Sequence, residues 1–326
     1  MLEMRFRAVV ALALLAASAA LADRAPLPPG DHSRPLSFKR LPRTYTLHLP
    51  PAARSDAAIP LVIAFHGGGG NAKSFQQYAG LDAVADREGF AVVYPDGTGH
   101  PLLPGRLLTW NAGRCCGWAQ DNKIDDVGFA LRVVESVAQL ARLDRSRIYA
   151  TGHSNGAMMS YRLAAEAADR IAAIAPVAGA MNLKREFAPS RAVPVLHIHS
   201  TSDPRALYAG GDNKSFAGTT IHHEPVVASL QLWEKRNRCA GAGAELERRK
   251  AAPPNGQGEQ LAVHLAANCP KGAAVELWRL SGVGHAWPGE NPGPLPERVM
   301  GPHSNIISAA EEAWKFFARF SLAASR

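Results

Sequence analysis

Arg147-Ile-Tyr-Ala-Thr-Gly-His-Ser-Asn-Gly-Ala-Met-Met-Ser-Tyr-Arg-Leu-Ala164 decides how this chain is read. Residues 148–151 are a short β-prone run, and from Ala157 onward the apolar residues take helical spacing. Between them, Gly152-His153-Ser154-Asn155-Gly156 sets a G-x-S-x-G sequence at the joint of strand and helix. A turn that tight drives the serine backbone into a strained conformation and leaves no room for a Cβ at the glycines two positions away on either side. The serine hydroxyl is then held above the sheet, at the positive end of the following helix. The pentapeptide alone matches many Gly-rich turns by chance. The strand before it and the helix after it make it a nucleophile elbow.

Upstream, residues 44–49 alternate as a strand does, and Ile59-Pro-Leu-Val-Ile-Ala-Phe65 is a continuous apolar run of the kind buried on both faces of a parallel sheet. It ends in His66-Gly67-Gly68-Gly69-Gly70-Asn71, where backbone N–H groups can approach a ligand; an elbow serine needs a second hydrogen-bond donor from such a loop. A helix over 74–88 and a strand over 90–94 follow. The long irregular segment 98–123 carries Trp110, Cys115, Cys116 and Trp118 and is expected to wall a cleft. Residues 124–143 read as a helix whose Asp125 and Asp126 serve as first-turn charges on the dipole. After the elbow helix, strands are expected at 171–178, 193–199 and 275–280, and helices at 225–238 and 305–320. This alternation implies one mostly parallel central sheet with helices on both faces, an α/β fold class in a single domain over 43–322. Residues 23–42, rich in Pro and charge, read as a surface segment, and 240–258 as a free loop.

A serine hydroxyl needs a base to take its proton and an acid to orient that base. In α/β-hydrolases the order is Ser, then Asp or Glu, then His, on loops after late strands. The strand at 193–199 runs into Ser200-Thr201-Ser202-Asp203-Pro204, and the strand at 275–280 runs into Ser281-Gly-Val-Gly-His285-Ala-Trp-Pro288. Ser154, Asp203 and His285 are therefore the expected triad. Asp212 and Glu224 follow the same strand as Asp203 but lie further from its end. His197 and His199 share a strand face and mimic a metal pair, yet without a third ligand they read as core residues, and no metal is expected. His222-His223 falls in a polar turn, His153 points away from the nucleophile side, and His303 has no strand directly before it.

Composition sets the outer bounds. With 47% hydrophobic and 20% charged residues among 326, the chain is ordinary globular material. Its net charge of +8 falls to +7 once residues 1–22, with Arg5, Arg7 and Glu3, are set aside. There is no Lys/Arg stripe with interleaved aromatics, so nucleic acid is not an expected partner. Arg5 and Arg7 before the apolar run 8–20, with Ala20-Leu-Ala22 at a cleavage position, read as a signal peptide over 1–22. That run is short for a membrane helix, so the mature chain is expected to be secreted or periplasmic, off the membrane and monomeric. Four cysteines in an exported chain suggest disulfides. Cys239 and Cys269 bracket a polar Gly-rich excursion and are expected to pair. Cys115 and Cys116 stand open as free thiols, a vicinal ring, or bridges to elsewhere.

Six stretches carry a resemblance: His66 to Asn71, Tyr94-Pro95-Asp96-Gly97, Cys115-Cys116-Gly117, Asp125-Asp126-Val127-Gly128-Phe129, the elbow, and Gly284-His285-Ala286-Trp287-Pro288-Gly289. Together they resemble the secreted esterases that group polyhydroxybutyrate depolymerases with feruloyl and acetylxylan esterases (carbohydrate esterase family 1). The resemblance runs from about Arg43 to Phe320. It implies Ser154 as nucleophile, His285 as base and Asp203 as orienting acid. It also implies an oxyanion hole from backbone N–H groups of Asn155 and Gly67, and an ester substrate with no cofactor. One position departs: Ser200 follows His199 where the family usually has Gly.

Only 48 residues separate Ser154 from Asp203 and 81 separate Asp203 from His285, which leaves no space for a large lid domain. Trp110, Trp118 and Trp287 are expected to edge an open cleft, with core or rim packing as the competing role. No Ser/Thr/Pro-rich linker or appended module is present to hold solid polyester. Soluble feruloylated or acetylated saccharides are therefore the expected substrates, polyhydroxybutyrate or its oligomers the alternative. A carbohydrate-binding protein that keeps the fold without turnover is the rival of another class, and a serine peptidase on the same fold is a third reading, weakened by the lack of a propeller or cap domain.

Overall fold

The computed structural model describes residues 27–183, 186–215, 218–240, 243–254, 256 and 258–323. The expected signal peptide lies outside them. Strands β1 (Gly30–Phe38), β2 (Leu41–Leu49), β3 (Ile59–Phe65), β4 (Ala91–Pro95), β5 (Leu143–His153), β6 (Ala173–Val177), β7 (Val195–Ser200), β10 (Ala244–Ala251), β11 (Gln260–Ala266) and β12 (Val275–Ser281) form one sheet. Its order is β1-β2-β4-β3-β5-β6-β7-β12-β11-β10. The six central strands from β4 to β12 run parallel. Strands β8 (Gly211–Lys214) and β9 (Thr220–His223) make a separate hairpin.

The helices are α1 (Ala72–Ala79), α2 (Leu81–Glu88), α3 (Gly117–Asp121), α4 (Asp126–Val137), α5 (Asn155–Glu166), α6 (Val226–Arg236), α7 (Glu297–Met300) and α8 (Ala309–Phe317). The all-apolar β3 explains the layering. Leu61, Ile63 and Phe65 pack with α4, α5 and α6, whereas Val62 and Ala64 pack with α1, α2 and α8. Alternation of side chains along a strand gives each face its own core, so a strand buried on both faces needs no polar residue.

The sheet is mostly parallel, as expected, with antiparallel edges: β1 and β2 on one side, and β11 and β10 on the other. Three expectations are corrected. Within the 23–42 surface segment, Gly30–Phe38 form strand β1, in a hairpin whose turn residues Lys39 and Arg40 both take positive φ, at 48° and 65°. Within the expected free loop at 240–258, Ala244–Ala251 form β10, whose partner β11 completes an edge hairpin. Glu245, Glu247, Arg248 and Lys250 leave β10 without an apolar stripe because an edge strand is wetted, and such charges protect it from pairing with other chains. The helix at 74–88 is two helices, broken at Gly80, which takes a φ of 68°.

Cys239 is disulfide-bonded to Cys269 at the base of the edge hairpin, and Cys115 to its neighbour Cys116.

Candidate active site

Strands β3 and β5 lie side by side with Phe65 opposite Gly152. The chain leaves β3 toward β4 on one side and leaves β5 toward β6 on the other. The two loops therefore part at a topological switch point, where open α/β sheets form their crevices. Ser154 occupies that point with φ 58° and ψ −118°. A non-glycine residue in that region stores strain, which the surrounding packing must hold. The flanking glycines let the elbow fit. A Cβ on Gly152 would stand 2.5 Å from the Gly156 carbonyl oxygen, and one on Gly156 would overlap the carbonyl oxygens of Phe65 and His66.

Ser154 N–H is fixed to the Val177 carbonyl at 2.9 Å, leaving the half-buried side chain at the surface of the joint. Among the described residues its hydroxyl has no hydrogen-bond partner. The loop after β3 lies against it: a Cβ on Gly67 would be 3.5 Å from Ser154 Cβ. Asn155 N–H opens α5, where the first N–H groups of a helix have no acceptor within the helix. Gly67 N–H is likewise without a backbone acceptor among the described residues.

Both N–H groups are held through Trp110. Its indole Nε1 donates to the His66 carbonyl at 2.9 Å. In a planar trans peptide the Gly67 N–H must then point the opposite way. The Asn155 amide closes on the Trp110 backbone, Oδ1 accepting from N–H at 2.7 Å and Nδ2 donating to C=O at 3.0 Å. His66 braces the same loop. Its Nε2 accepts from Gly97 N–H at 3.0 Å, so Nδ1–H donates to the Gly67 carbonyl at 2.8 Å. Burial pushes the His66 imidazole down to about 4, consistent with that neutral form.

On the other side, β7 and β12 pair in parallel and deliver Asp203 and His285 on adjacent loops. Asp203 Oδ2 accepts from His285 Nδ1–H at 2.7 Å, and Oδ1 accepts from the N–H groups of Arg205 and Ala206 at 2.7 and 2.8 Å. Burial works to raise the Asp203 carboxyl, but His285, His199 and their hydrogen bonds outweigh it and hold the group far below the usual carboxylate range. The His285 ring lies 4.8 Å from that of His153, the residue before Ser154. Burial first, and His285 second, keep His153 neutral by pushing it well below the usual imidazole range.

The tryptophans depart from expectation. Trp110 is fully buried, and Trp287 is 3% exposed with its Nε1 donating to the Ala79 carbonyl at 2.9 Å. Both are packing residues and neither edges a cleft: each indole N–H finds a carbonyl in the interior. Trp118 on α3 is half-buried. The rivals to the expected triad residues are engaged elsewhere. Asp212 pairs with His222 at 2.7 Å, Glu224 with Arg114 at 3.1 Å, and His303 with the Gly289 carbonyl at 2.8 Å. His197 and His199 are buried and bonded to one another. The roles of His66 and of the Asn155 side chain were missed in the sequence, where no local pattern marks them.

A profile described as Esterase PHB depolymerase matches residues 43–231. NocK of Nocardia uniformis subsp. tsuyamanensis, a protein named as an esterase, is 33% identical over 84% of this chain and 78% of its own. Feruloyl esterase B of Piromyces equi is 30% identical over 75% of this chain, which spans 42% of that longer protein. Among solved structures, an acetyl xylan esterase from Aspergillus awamori shares the fold at a TM-score of 0.51, with 14% identity over 88% of this chain and 99% of that one. The chain therefore belongs to the Esterase PHB depolymerase family and is a carboxylic ester hydrolase of α/β-hydrolase fold.

Proposed function

We propose that the protein is an exported serine esterase in which Ser154 attacks the ester carbonyl, His285 takes and returns the proton, and Asp203 orients His285. The observation that carries this reading is the buried His285–Asp203 hydrogen bond of 2.7 Å, with the His285 ring 4.8 Å from that of His153, the residue before the strained Ser154 at the sheet's switch point. Ser154 Oγ attacks while His285 Nε2 accepts its proton. The N–H groups of Gly67 and Asn155 hold the oxyanion, each worth a few kcal/mol of barrier, roughly a hundredfold or more in rate. The alcohol leaves with the proton from His285, and water activated by the same imidazole releases the acid. Catalytic hydrogen bonds are commonly long or poorly aligned in a resting enzyme and tighten when substrate binds, so an unbonded Ser154 hydroxyl is compatible with this scheme.

The preferred substrates are feruloyl or acetyl esters of plant polysaccharide, a preference supported by the likeness to a protein named feruloyl esterase. Burial of Trp110 and Trp287 leaves only the half-buried Trp118 of the expected aromatic cleft as an argument for it. A second reading, a polyester or its oligomers, is favoured by Leu102, Leu103 and Leu107. These are 82%, 44% and 64% exposed on a loop whose Leu108 carbonyl accepts from Gly69 N–H at 2.8 Å. Exposed apolar side chains next to the oxyanion loop suit an aliphatic acyl chain. The test assays the mature chain and its Ser154→Ala variant on p-nitrophenyl acetate, methyl ferulate, acetylated xylo-oligosaccharides and 3-hydroxybutyrate oligomers. Turnover by Ser154→Ala at the wild-type rate overturns the mechanism, and cleavage of the oligomers alone overturns the preferred substrate.

A further inference from the structure

Behind the acid of the site lies a buried chain of polar side chains that the hydrolytic scheme leaves unused. Tyr161 on α5 and His197 and His199 on β7 are each no more than 1% exposed. Tyr161 Oη is 3.0 Å from His197 Nδ1, and His197 Nε2 is 3.0 Å from His199 Nδ1. His199 Nε2 lies 2.8 Å from the Ala206 carbonyl and 3.3 Å from Asp203 Oδ2. Unpaired, each of these groups would be expensive to bury; linked, they satisfy one another.

The proton order follows from the chemistry of the ends. A carbonyl and a carboxylate only accept, so His199 Nε2 carries hydrogen. With one proton on each imidazole, His199 Nδ1 is bare and accepts from His197 Nε2–H, and His197 Nδ1 accepts from the Tyr161 hydroxyl. Every donor in the chain thus points toward Asp203. The Asp203 carboxylate is held at Oδ1 by two backbone N–H groups, and Oδ2 is shared between His285 Nδ1 and the flank of His199 Nε2. His199 also secures the Ala206 carbonyl, one peptide beyond the N–H that grips Oδ1. Its ring is packed edge-on by Tyr208 at 5.7 Å. His153 and His223 are the other titratable groups close enough to feel Asp203, and burial holds both below the usual imidazole range.

We propose that His199 is a positioning residue for Asp203: its Nε2–H, set in direction by His197 and Tyr161, fixes the plane of the carboxylate and takes a share of the charge on Oδ2. This rests on the reading of Ser154, His285 and Asp203 as a catalytic triad. Loss of that donor leaves more negative charge facing His285 and frees the carboxylate to rotate. The imidazole is then harder to deprotonate and less well aimed, while ester binding is untouched.

The test compares His199→Phe, which removes the donor, with His199→Gln, whose amide N–H reaches a similar point. His199→Phe is expected to lower kcat about 10- to 100-fold with KM within about twofold, the usual cost of losing an orienting partner one shell out. It is also expected to move the acidic limb of kcat/KM upward by roughly half a pH unit or more. His199→Gln is expected to recover most of both effects. A His199→Phe enzyme with wild-type kcat per folded molecule and an unmoved limb overturns the proposal, as does a His199→Gln enzyme that falls as far as His199→Phe. Should His199→Phe not fold, nitrogen-15 NMR of the wild-type histidines decides: a proton on Nε2 alone of His199 between pH 6 and 8 supports it, and a proton on Nδ1 overturns it. Ser154→Ala separates the two levels of inference. If it keeps turnover the triad reading fails, and if it is inactive while His199→Phe is unaffected only the role of His199 fails.

Discussion

Asn155 grips the main chain of Trp110 at both its polar atoms, accepting from N–H at 2.7 Å and donating to C=O at 3.0 Å. The residue that offers one proposed oxyanion donor thereby holds the residue whose indole turns the other, through the His66 carbonyl at 2.9 Å. The two donors are mechanically one unit. Asn155→Ala keeps the Asn155 N–H but frees Trp110, so kcat is expected to fall roughly 100-fold with KM little changed. The buried Trp110 N–H loses its partner, which lowers unfolding stability by about 1–3 kcal/mol, while the Trp110 carbonyl keeps the N–H groups of Ala112 and Cys116 at 3.0 Å. Steady-state kinetics with urea unfolding reads both, and an unchanged kcat refutes the coupling.

Trp110→Phe tests the other arm of the same unit. The ring remains to pack against Phe65, whose centroid is 5.0 Å away, but the bond to the His66 carbonyl is lost. A drop in kcat of roughly tenfold is expected, smaller than for Asn155→Ala because one hydrogen bond goes and the clamp stays. A larger drop than Asn155→Ala would show that the indole serves some other purpose.

Arg43 and Asp126 form an ion pair of 2.7 Å with side chains 1% and 0% exposed, and the guanidinium lies 3.5 Å from the Phe129 ring centroid. Asp126 also accepts from Asn111 N–H at 2.8 Å, so the pair ties β2 to the Trp110 loop. Burial works to lower the Arg43 guanidinium, and Asp126 opposes it. Removing one partner strands the other charge in the interior. Arg43→Met is expected to cost about 3–5 kcal/mol, and the Arg43→Met/Asp126→Leu double variant markedly less. Denaturant unfolding checks this, and a double variant as unstable as the single one counts against it.

The parts of the site that the sequence displayed are those set by local order. Strand β5, Ser154 and α5 are contiguous, so the change from β-prone run to helical spacing marks the elbow directly. Asp203 and His285 each follow an apolar strand, which is enough to put both at one end of a parallel sheet. What stayed hidden depends on contacts distant in sequence. Nothing near Trp110 announces that Asn155 will bond its backbone or that its indole will face His66. Trp287 looked like a cleft residue because a tryptophan in a Gly- and Pro-rich loop has no period to reveal the side it faces. Strand β10 escaped because charges on an edge erase the alternation by which strands are read.

The disulfide between Cys239 and Cys269 spans 30 residues and encloses the edge hairpin. By the chain-entropy argument a loop of that length contributes roughly 3–4 kcal/mol. Cys239→Ser/Cys269→Ser is expected to lose stability of that order while kcat per folded molecule stays within about twofold, since the hairpin lies at the sheet edge. Unfolding in the presence and absence of reductant gives the first quantity, and active-site titration with a fluorophosphonate makes the second measurable. A large loss of kcat would tie the hairpin to the site.

As the proposed orienting acid, Asp203 joins activity to acid stability. Its folded carboxyl is depressed below the unfolded value near 3.9, so its contribution is fully present above about pH 4 and is lost as pH falls further toward the folded value. Wild-type protein should therefore lose stability below about pH 4, and Asp203→Asn should lack that part of the acid dependence. At neutral pH the same substitution turns the acceptor facing His285 Nδ1 into an amide that favours the wrong tautomer. Loss of kcat on the order of 10,000-fold is expected, by analogy with other serine triads. Because Oδ1 still accepts from Arg205 and Ala206, the variant should fold, so the two effects can be measured on one protein. Asp203→Asn with near-normal turnover, or with the wild-type slope of stability against pH below 4, would place the orienting acid elsewhere.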